Sequence, residues 1–226
     1  MICFNCDYNE GAHPAIMARL LQTNLEQNIG YGQDDYCRQA ADLIRAKAQA
    51  PQAAVHFLVG GTQTNLTVIA SALKPYQCVI SAESGHINVH ETGAIEATGH
   101  RVLTVPATEG KISAAQVQKV CDAHWAEDNP EFDAQPKMVY ISFPTEYGTL
   151  YTKQELQDLR DVCRKNNLFL FADGARLGYA LTSKKNTVTL AELAACCDVF
   201  YIGGTKVGAL FGEAVVIMND ALKQDF

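Results

Sequence analysis

The chain contains the run Leu168-Phe169-Leu170-Phe171-Ala172, which is followed directly by Asp173-Gly174. Five consecutive apolar residues, with no polar residue alternating between them, are typical of a strand that is buried on both faces of a sheet. The run therefore predicts an interior strand of a sheet that helices cover on both sides.

Six further short runs share this apolar character, and helical patterns separate most of them. The seven predicted strands are residues 54–59, 77–81, 101–105, 137–142, 168–172, 198–202 and 213–218. The predicted helices are residues 14–28, a helix capped by Asp34 or Asp35 that runs through residue 48, and residues 62–73, 113–124, 152–166 and 190–196. Residues 125–136 are polar and acidic and contain two prolines, so they predict a surface loop.

This order of elements predicts an α/β fold, a three-layer α/β/α sandwich built on a mostly parallel sheet of seven strands with right-handed crossovers. Only about ten residues join the last two strands, too few for a crossover helix, so the last strand is expected to be antiparallel. We expect residues 1–50 to form an extended and helical N-terminal segment and residues 51–226 to form one large domain. Ligands of such sheets bind at the carboxyl ends of the strands.

Composition narrows the class of ligand. A net charge of −7 and the absence of a Lys/Arg block argue against nucleic acid and membrane surfaces as partners. No apolar run approaches the length of a membrane span, and the N-terminus lacks the features of a signal peptide, so we expect a cytoplasmic protein with a small-molecule ligand. The eight cysteines are scattered and are expected to be reduced. Cys3 and Cys6 form a lone C-x-x-C without the further ligands that a zinc site needs.

Two glycine-rich loops follow predicted strands. In the loop Gly203-Gly204-Thr205-Lys206, the lysine can form a Schiff base with an aldehyde cofactor if burial lowers its pKa. The alternative is a solvated lysine in an ordinary turn. The loop Gly60-Gly61-Thr62-Gln63 opens directly into a helix, where free N–H groups and the helix dipole favour a phosphate. Its alternative is a plain helix cap.

Two more side chains are expected at the same edge of the sheet. His86 follows the second strand and could stack on a flat cofactor or move a proton near neutral pH. It could equally be a solvated residue or, with His90, a metal ligand, although no further ligand cluster accompanies the pair. Asp173 ends a buried strand, where a carboxylate is costly unless a cation meets it, and a protonated pyridine nitrogen is one candidate. The alternative is a local pair with Arg176.

Few cofactors other than pyridoxal 5'-phosphate call for an anion site, a ring-stacking side chain, a carboxylate and an amine together. Over nearly its whole length the chain resembles the threonine aldolases of the β-eliminating lyase family, pyridoxal-phosphate enzymes with the aspartate-aminotransferase-like fold. The matching segments, in the family's order, are residues 7–14, 30–34, 61–65, His86 with 91–94, 173–177, and 203–206 continuing through 209–214.

The resemblance implies a set of site residues. The expected cofactor-binding residues are Lys206, Gly61, Thr62, His86, Asp173, Arg176 and Thr205, and those expected in catalysis are Lys206, His86, Asp173 and Arg176. Lys206 is implied to carry the Schiff base, and Gly61 and Thr62 to bind the phosphate. Asp173 is implied to pair with the ring nitrogen, and Arg176 to lie near the ring hydroxyl or the substrate carboxylate. No metal ligand is expected.

The implied reaction is the retro-aldol cleavage of a β-hydroxy-α-amino acid, in which threonine or allo-threonine gives glycine and acetaldehyde. The resemblance also implies homodimers or homotetramers. His86, expected to lie against the ring, is the first candidate for taking the β-hydroxyl proton, directly or through water. Two alternatives remain: another pyridoxal-phosphate lyase or transaminase of the same fold, and a cofactor-binding remnant that catalyses nothing.

The chain departs from the family pattern in three places. Glu146 occupies or adjoins the place of a histidine found in many members. Cys6 stands where relatives have a serine that helps to hold the substrate carboxylate. Relatives also continue for about a hundred residues beyond the last strand. We therefore expect the chain to lack the smaller C-terminal domain, which supplies an arginine for the substrate carboxylate and part of the cleft wall.

Overall fold

The computed structural model describes residues 2–226. A single seven-stranded sheet forms its centre, with the strand order β1-β7-β6-β5-β4-β2-β3. The strands are β1 (Ala54–Leu58), β2 (Gln77–Ala82), β3 (Val102–Val105), β4 (Gln135–Ser142), β5 (Phe169–Asp173), β6 (Val199–Gly203) and β7 (Glu213–Ile217). β7 lies between β1 and β6 and runs antiparallel to both, whereas the other adjacent pairs are parallel. The predicted α/β fold and its antiparallel last strand are therefore confirmed.

Helices connect the strands and cover the sheet. Among the described residues they are α1 (Pro14–Thr23), α2 (Asp35–Ala48), α3 (Gly61–Ala72), α4 (His86–Val89), α5 (Ala94–Ala97), α6 (Ala114–Trp125), α7 (Lys153–Lys165), α8 (Leu177–Thr182) and α9 (Leu190–Cys196). Within residues 2–226, none of these helices has both the length and the apolar character that crossing a membrane requires.

Three details differ from the sequence predictions. α1 ends at Thr23 rather than at residue 28; the Thr23 hydroxyl donates to the Arg19 carbonyl oxygen, and no residue of α1 is buried to hold a longer helix in place. Residues 125–136 are not one loop, because α6 and β4 extend into them and a short 3-10 turn lies between. The sequence missed α4, α5 and α8, which have only four to six residues and are too short to show helical periodicity.

The apolar run that begins at Leu168 lies between two hydrophobic cores, one on each face of the sheet. Leu170 and Ala172 join a cluster of buried apolar side chains on one face of the sheet, packed with residues of α6, α7 and α9. Phe171 and the partly buried Phe169 belong to a second cluster, which includes residues of α3. Because successive side chains of a strand point to opposite faces, a strand between two cores is apolar at every position.

The carboxyl ends of β5 and β6 approach each other closely at two glycines. A Cβ atom on Gly174 would lie 1.8 Å from the Tyr201 carbonyl oxygen, and one on Gly203 would lie 2.3 Å from the Ala175 carbonyl oxygen. The Gly203 N–H donates to the Gly174 carbonyl oxygen at 2.8 Å. This contact places the loop after Asp173 directly beside the loop that carries Lys206.

We expect Gly174→Ala to lower the free energy of unfolding by at least about 3 kcal/mol, because the new methyl group overlaps backbone that cannot move without breaking the β5–β6 contact. Urea denaturation followed by circular dichroism measures the change. Gly30→Ala is the matched control, since nothing lies within 4 Å of its added Cβ, and it should change stability by no more than about 1 kcal/mol. Equal effects of the two substitutions would contradict the steric explanation.

Candidate active site

Asp173 is a buried carboxylate at the end of β5, and four donors surround it. The hydroxyl of Tyr201 donates to Oδ1 at 2.6 Å, and the backbone N–H of Ala175 donates to the same oxygen at 2.9 Å. The hydroxyl of Tyr140 donates to Oδ2 at 2.5 Å, and the Asn65 amide donates to it at 3.1 Å. Burial raises the pKa of both tyrosines well above the usual value, so each remains a protonated donor.

His86 lies at the start of α4, where two glutamates hold it. Its Nδ1 lies 2.9 Å from Oε1 of Glu91, and its backbone N–H donates to Oε1 of Glu146 at 2.8 Å. The hydrogen bond to Glu91 raises the pKa of His86 above its usual value, against the opposing effect of burial. Glu146, expected at the place of a family histidine, thus contacts His86 itself.

Asn65 joins these two groups. Its amide Nδ2 lies 2.7 Å from Oε1 of Glu91 and 3.1 Å from Oδ2 of Asp173. A continuous chain of hydrogen bonds therefore runs from His86 through Glu91 and Asn65 to Asp173. These contacts link the residues that follow β2 to the end of β5, through a side chain of α3.

Lys206 sits half-buried in a short 3-10 turn after β6. Burial lowers the pKa of its amine, and the nearby charge of Arg176 lowers it further, while Asp7, Asp173 and Glu213 act in the opposite direction. Its Nζ lies 5.9 Å from the centre of the Tyr8 ring. The condition set for a reactive lysine, a pKa lowered by burial, is met here.

A groove of about 640 Å³ opens beside Lys206. The N-terminal segment forms much of its wall, including Cys6 and Tyr8, and the lysine loop closes the other side with Thr205 and Val207. Gly61, His86 and Asp173 do not line this groove. The groove therefore reaches the lysine from the side of the N-terminal segment rather than from the side of the hydrogen-bonded carboxylate.

Arg176 forms an ion pair with Asp7 of the N-terminal segment, in which both carboxylate oxygens accept from the guanidinium. The hydrogen bond to Asp7 raises the pKa of Arg176, although burial opposes it. The alternative in which Asp173 simply pairs with Arg176 is therefore wrong. The partner of Arg176 is 169 residues away in the sequence, and Asp173 is held by neutral donors instead.

The N-terminus of α3 has the free donors that an anion needs. Gly60 occupies the cap position in an extended conformation, and no side chain caps the helix. A Cβ on Gly60 would meet nothing within 4 Å, and one on Gly61 would lie 3.2 Å from the Tyr201 hydroxyl. Thr62 is exposed at the first turn. The first N–H groups of α3 are therefore free to bind a phosphate. They lie beside Tyr201, whose hydroxyl donates to Asp173.

Glu213 at the start of β7 is a further titratable group beside the lysine loop. Its Oε1 accepts from the Thr205 hydroxyl at 3.1 Å, and its Oε2 accepts from the backbone N–H of Gly204 at 3.3 Å. Burial raises its pKa to about 7. The carboxyl therefore fixes the two residues that precede Lys206.

Several polar atoms in this region are buried without a partner. They include Oγ1 of Thr64, Oδ1 of Asn65 and Oε2 of Glu91. Together with an uncapped helix, an amine and a carboxylate that receives only neutral donors, they fit a ligand with an anionic group, an aldehyde and a cationic ring nitrogen, which describes pyridoxal phosphate. Within residues 2–226, no group of three or more His, Cys, Asp or Glu side chains is arranged to hold a metal ion.

Sequence reasoning assigned no role to five residues of this site. Asn65 and Glu91 lie inside matching segments, so the segments pointed to them without showing what they do. Tyr140 and Tyr201 lie inside apolar strand runs and looked like core residues. Glu213 lies at the end of a glycine-rich loop, where a charged residue is ordinarily solvated. Only the structure brings their polar atoms to Asp173, His86 and the lysine loop.

Comparison with known proteins gives one family. A model of the beta-eliminating lyase family matches residues 6–225. A low specificity L-threonine aldolase of Pseudomonas sp. (strain NCIMB 10558) is 31% identical over 229 residues, which cover 99% of this chain and 64% of the relative.

Solved structures agree in fold. A threonine aldolase structure from Leishmania major superimposes with a TM-score of 0.93 at 49% identity, over 97% of this chain and 63% of that one. Aspartate aminotransferase from Thermus thermophilus, at 15% identity, has a TM-score of 0.70 over 95% of this chain and 55% of that one, which shows a shared fold. The chain spans about 64% of the length of the Pseudomonas sp. relative and of a second Pseudomonas low specificity L-threonine aldolase.

Glu213 makes stability depend on pH. Since burial raises its pKa from 4.5 to about 7, the folded state binds this proton more tightly than the unfolded chain does. The resulting stabilisation is full below the unfolded pKa and is lost as the pH rises through the folded pKa. Glu213→Gln, which is neutral at every pH, should therefore gain about 2 kcal/mol relative to wild type between about pH 5 and about pH 8.

Urea unfolding of the cofactor-free protein across this pH range measures that gain. Glu127→Gln, at an exposed position, is the control and should follow wild type throughout. Parallel pH profiles of wild type and Glu213→Gln would show that Glu213 does not titrate in this range.

Proposed function

The chain belongs to the β-eliminating lyase family, and we propose that it cleaves a β-hydroxy-α-amino acid, threonine or allo-threonine, into glycine and an aldehyde by a retro-aldol reaction. Family membership implies pyridoxal phosphate as the cofactor. One observation carries the proposal: hydrogen bonds join His86 to Asp173, and the half-buried Lys206 lies close enough for the charge of Asp173 to act on its pKa.

Each part of the cofactor has a matching group. Lys206 would hold the aldehyde carbon, since burial favours its neutral, nucleophilic amine. Gly61 and Thr62 would hold the phosphate at the uncapped N-terminus of α3. Asp173 would accept the proton-bearing ring nitrogen, and His86 would lie against the ring.

When bound, pyridoxal phosphate supplies an electron-accepting ring for the pair released from the Cα–Cβ bond. The chain's own part is to take the proton of the substrate hydroxyl. With Nδ1 of His86 directed at Glu91, Nε2 is the ring nitrogen left to accept that proton. Glu91 then stabilises the positive charge that His86 gains, and it keeps the imidazole from rotating away.

Arg176 and Thr205 would support this arrangement. Arg176 directs its guanidinium at a carboxylate of the N-terminal segment, and we propose that a substrate carboxylate or the ring hydroxyl meets it at the same place. The Thr205 hydroxyl donates to Glu213, which leaves its oxygen lone pairs free to accept a hydrogen bond from the cofactor side.

We further propose that residues 51–226 form the cofactor-binding domain and that residues 1–50 form an extended and helical N-terminal segment. Assembly into homodimers or homotetramers is part of the proposal. It is supported by apolar side chains of α1 that stand more than a third exposed: Ile16, Met17, Leu20 and Leu21.

Addition of pyridoxal phosphate to the purified chain should produce a near-visible absorption band, and borohydride reduction should fix one cofactor to Lys206, as peptide mass spectrometry would show. Lys206→Ala should abolish both signals, because Lys206 is the only lysine among the described residues that line the groove. Lys185→Ala, at an exposed position, should retain them. A wild-type chain that takes up no cofactor would contradict the proposed site.

The loaded protein should release acetaldehyde and glycine from threonine or allo-threonine, which a coupled alcohol dehydrogenase assay detects. His86→Asn should lower kcat by at least about 100-fold if the imidazole moves the proton. If the protein binds the cofactor but releases no acetaldehyde, the result would support the cofactor site and contradict the aldolase reaction. Pyruvate from serine would indicate a different lyase, and amino-group transfer to a keto acid would indicate a transaminase.

A further inference from the structure

Glu91 is a buried carboxylate with an unusual set of partners. Its side chain is 0% exposed. Oε1 faces both Nδ1 of His86, at 2.9 Å, and the Asn65 amide nitrogen, at 2.7 Å, while Oε2 has no partner. Among the described residues, neither a lysine nor an arginine forms an ion pair with it, and His86 is the only cationic partner it can have.

A carboxylate in this position costs free energy unless a positive charge or strong donors compensate. Replacing such a group by an apolar side chain is often neutral or stabilising for a fold, so stability alone does not explain Glu91. The compensation it receives comes from His86 and Asn65, two residues that also reach the cofactor site. The position of Glu91 is therefore better explained by what it does to those two side chains.

Asn65 shows how the constraint extends to Asp173. Its Nδ2 carries two N–H groups, and each is directed at a different carboxylate, one from Glu91 and one from Asp173. Turning the amide over would place its oxygen against both carboxylates, so the orientation is fixed. Oδ1 of Asn65 has no partner of its own. The amide thus relays the position of Glu91 to Asp173.

We propose that Glu91 is a positioning residue, which fixes the ring orientation and the Nδ1 proton of His86 and, through Asn65, the orientation of Asp173. The Glu91 carboxylate would then align both His86, which would lie against the cofactor ring, and Asp173, which would meet the ring nitrogen. The effect of Glu91 on cofactor binding rests on the proposed function, whereas its pairing with His86 does not.

Glu91→Gln tests the pairing in cofactor-free protein. The amide keeps the shape and an acceptor oxygen but removes the charge. The titratable or charged groups around His86 are Glu91, Glu146, Asp173, Lys206 and His90, so only one of them changes. The pKa of His86, followed by NMR of labelled imidazole carbons and assigned with His86→Asn, should fall by about 1 pH unit or more.

Glu96→Gln is the matched control, since Glu96 is exposed and lies five residues further along the chain. It should leave the His86 titration unchanged. An unchanged His86 titration in a folded Glu91→Gln protein would overturn the proposal. If that variant fails to fold, wild type still decides, because the proposal requires Glu91 to outweigh burial and hold the His86 pKa above the ordinary value of about 6.5, and a lower value would overturn it.

A second measurement concerns Asp173. Glu91→Gln and Asn65→Ala should each weaken pyridoxal phosphate binding by about tenfold in fluorescence titrations, while only Glu91→Gln shifts the His86 titration. If wild type and both variants bind pyridoxal phosphate equally well, Glu91 does not position Asp173 through Asn65. A wild-type chain without cofactor affinity would defeat the proposed function, and the His86 titration would still decide whether Glu91 holds the imidazole.

Discussion

Burial of the Asp173 carboxylate at the end of an apolar strand constrains the elements around it. Its donors come from β4, β6, α3 and the loop after β5, so four separate parts of the chain have to be placed correctly. The sheet register achieves part of this, because Ser142 is paired with Asp173 and Phe171 with Val199. A slip of one residue would turn Tyr140 or Tyr201 to the opposite face and leave the carboxylate without that donor.

The same constraint explains the glycines at this edge. With Tyr201 committed to Asp173 through its hydroxyl, its carbonyl oxygen lies where a side chain at position 174 would extend. A residue without a Cβ is therefore needed directly after the carboxylate. Gly203 likewise lies too close to the Ala175 carbonyl oxygen for a side chain, and the turn that carries Lys206 begins two residues later, at Thr205. The spacing from the carboxylate to the amine is thus a consequence of close packing between two strand ends.

Much of this arrangement could be predicted from local sequence, because apolar runs, helix caps and glycine-rich loops are local signals. The seven strands and the position of Lys206, Asp173 and His86 at strand ends are of this kind. The donors to Asp173 are not, since a tyrosine in an apolar strand looks the same whether its hydroxyl meets a carboxylate or not. Local reasoning also paired Asp173 with Arg176 as the alternative, whereas the structure pairs Arg176 with a residue 169 positions away.

Charge separates the groups of the site into two kinds. Burial shifts the pKa of Lys206 downward and that of Glu213 upward, so both are moved towards their neutral forms. Against the effect of burial, the hydrogen bonds to Glu91 and Asp7 raise the pKa of His86 and of Arg176, which favours the charged form of each. Asp173 differs from all of these, because two phenols, one amide and one backbone N–H are neutral donors that orient a carboxylate without neutralising it. A buried carboxylate held in this way remains most favourably completed by a cationic ring nitrogen.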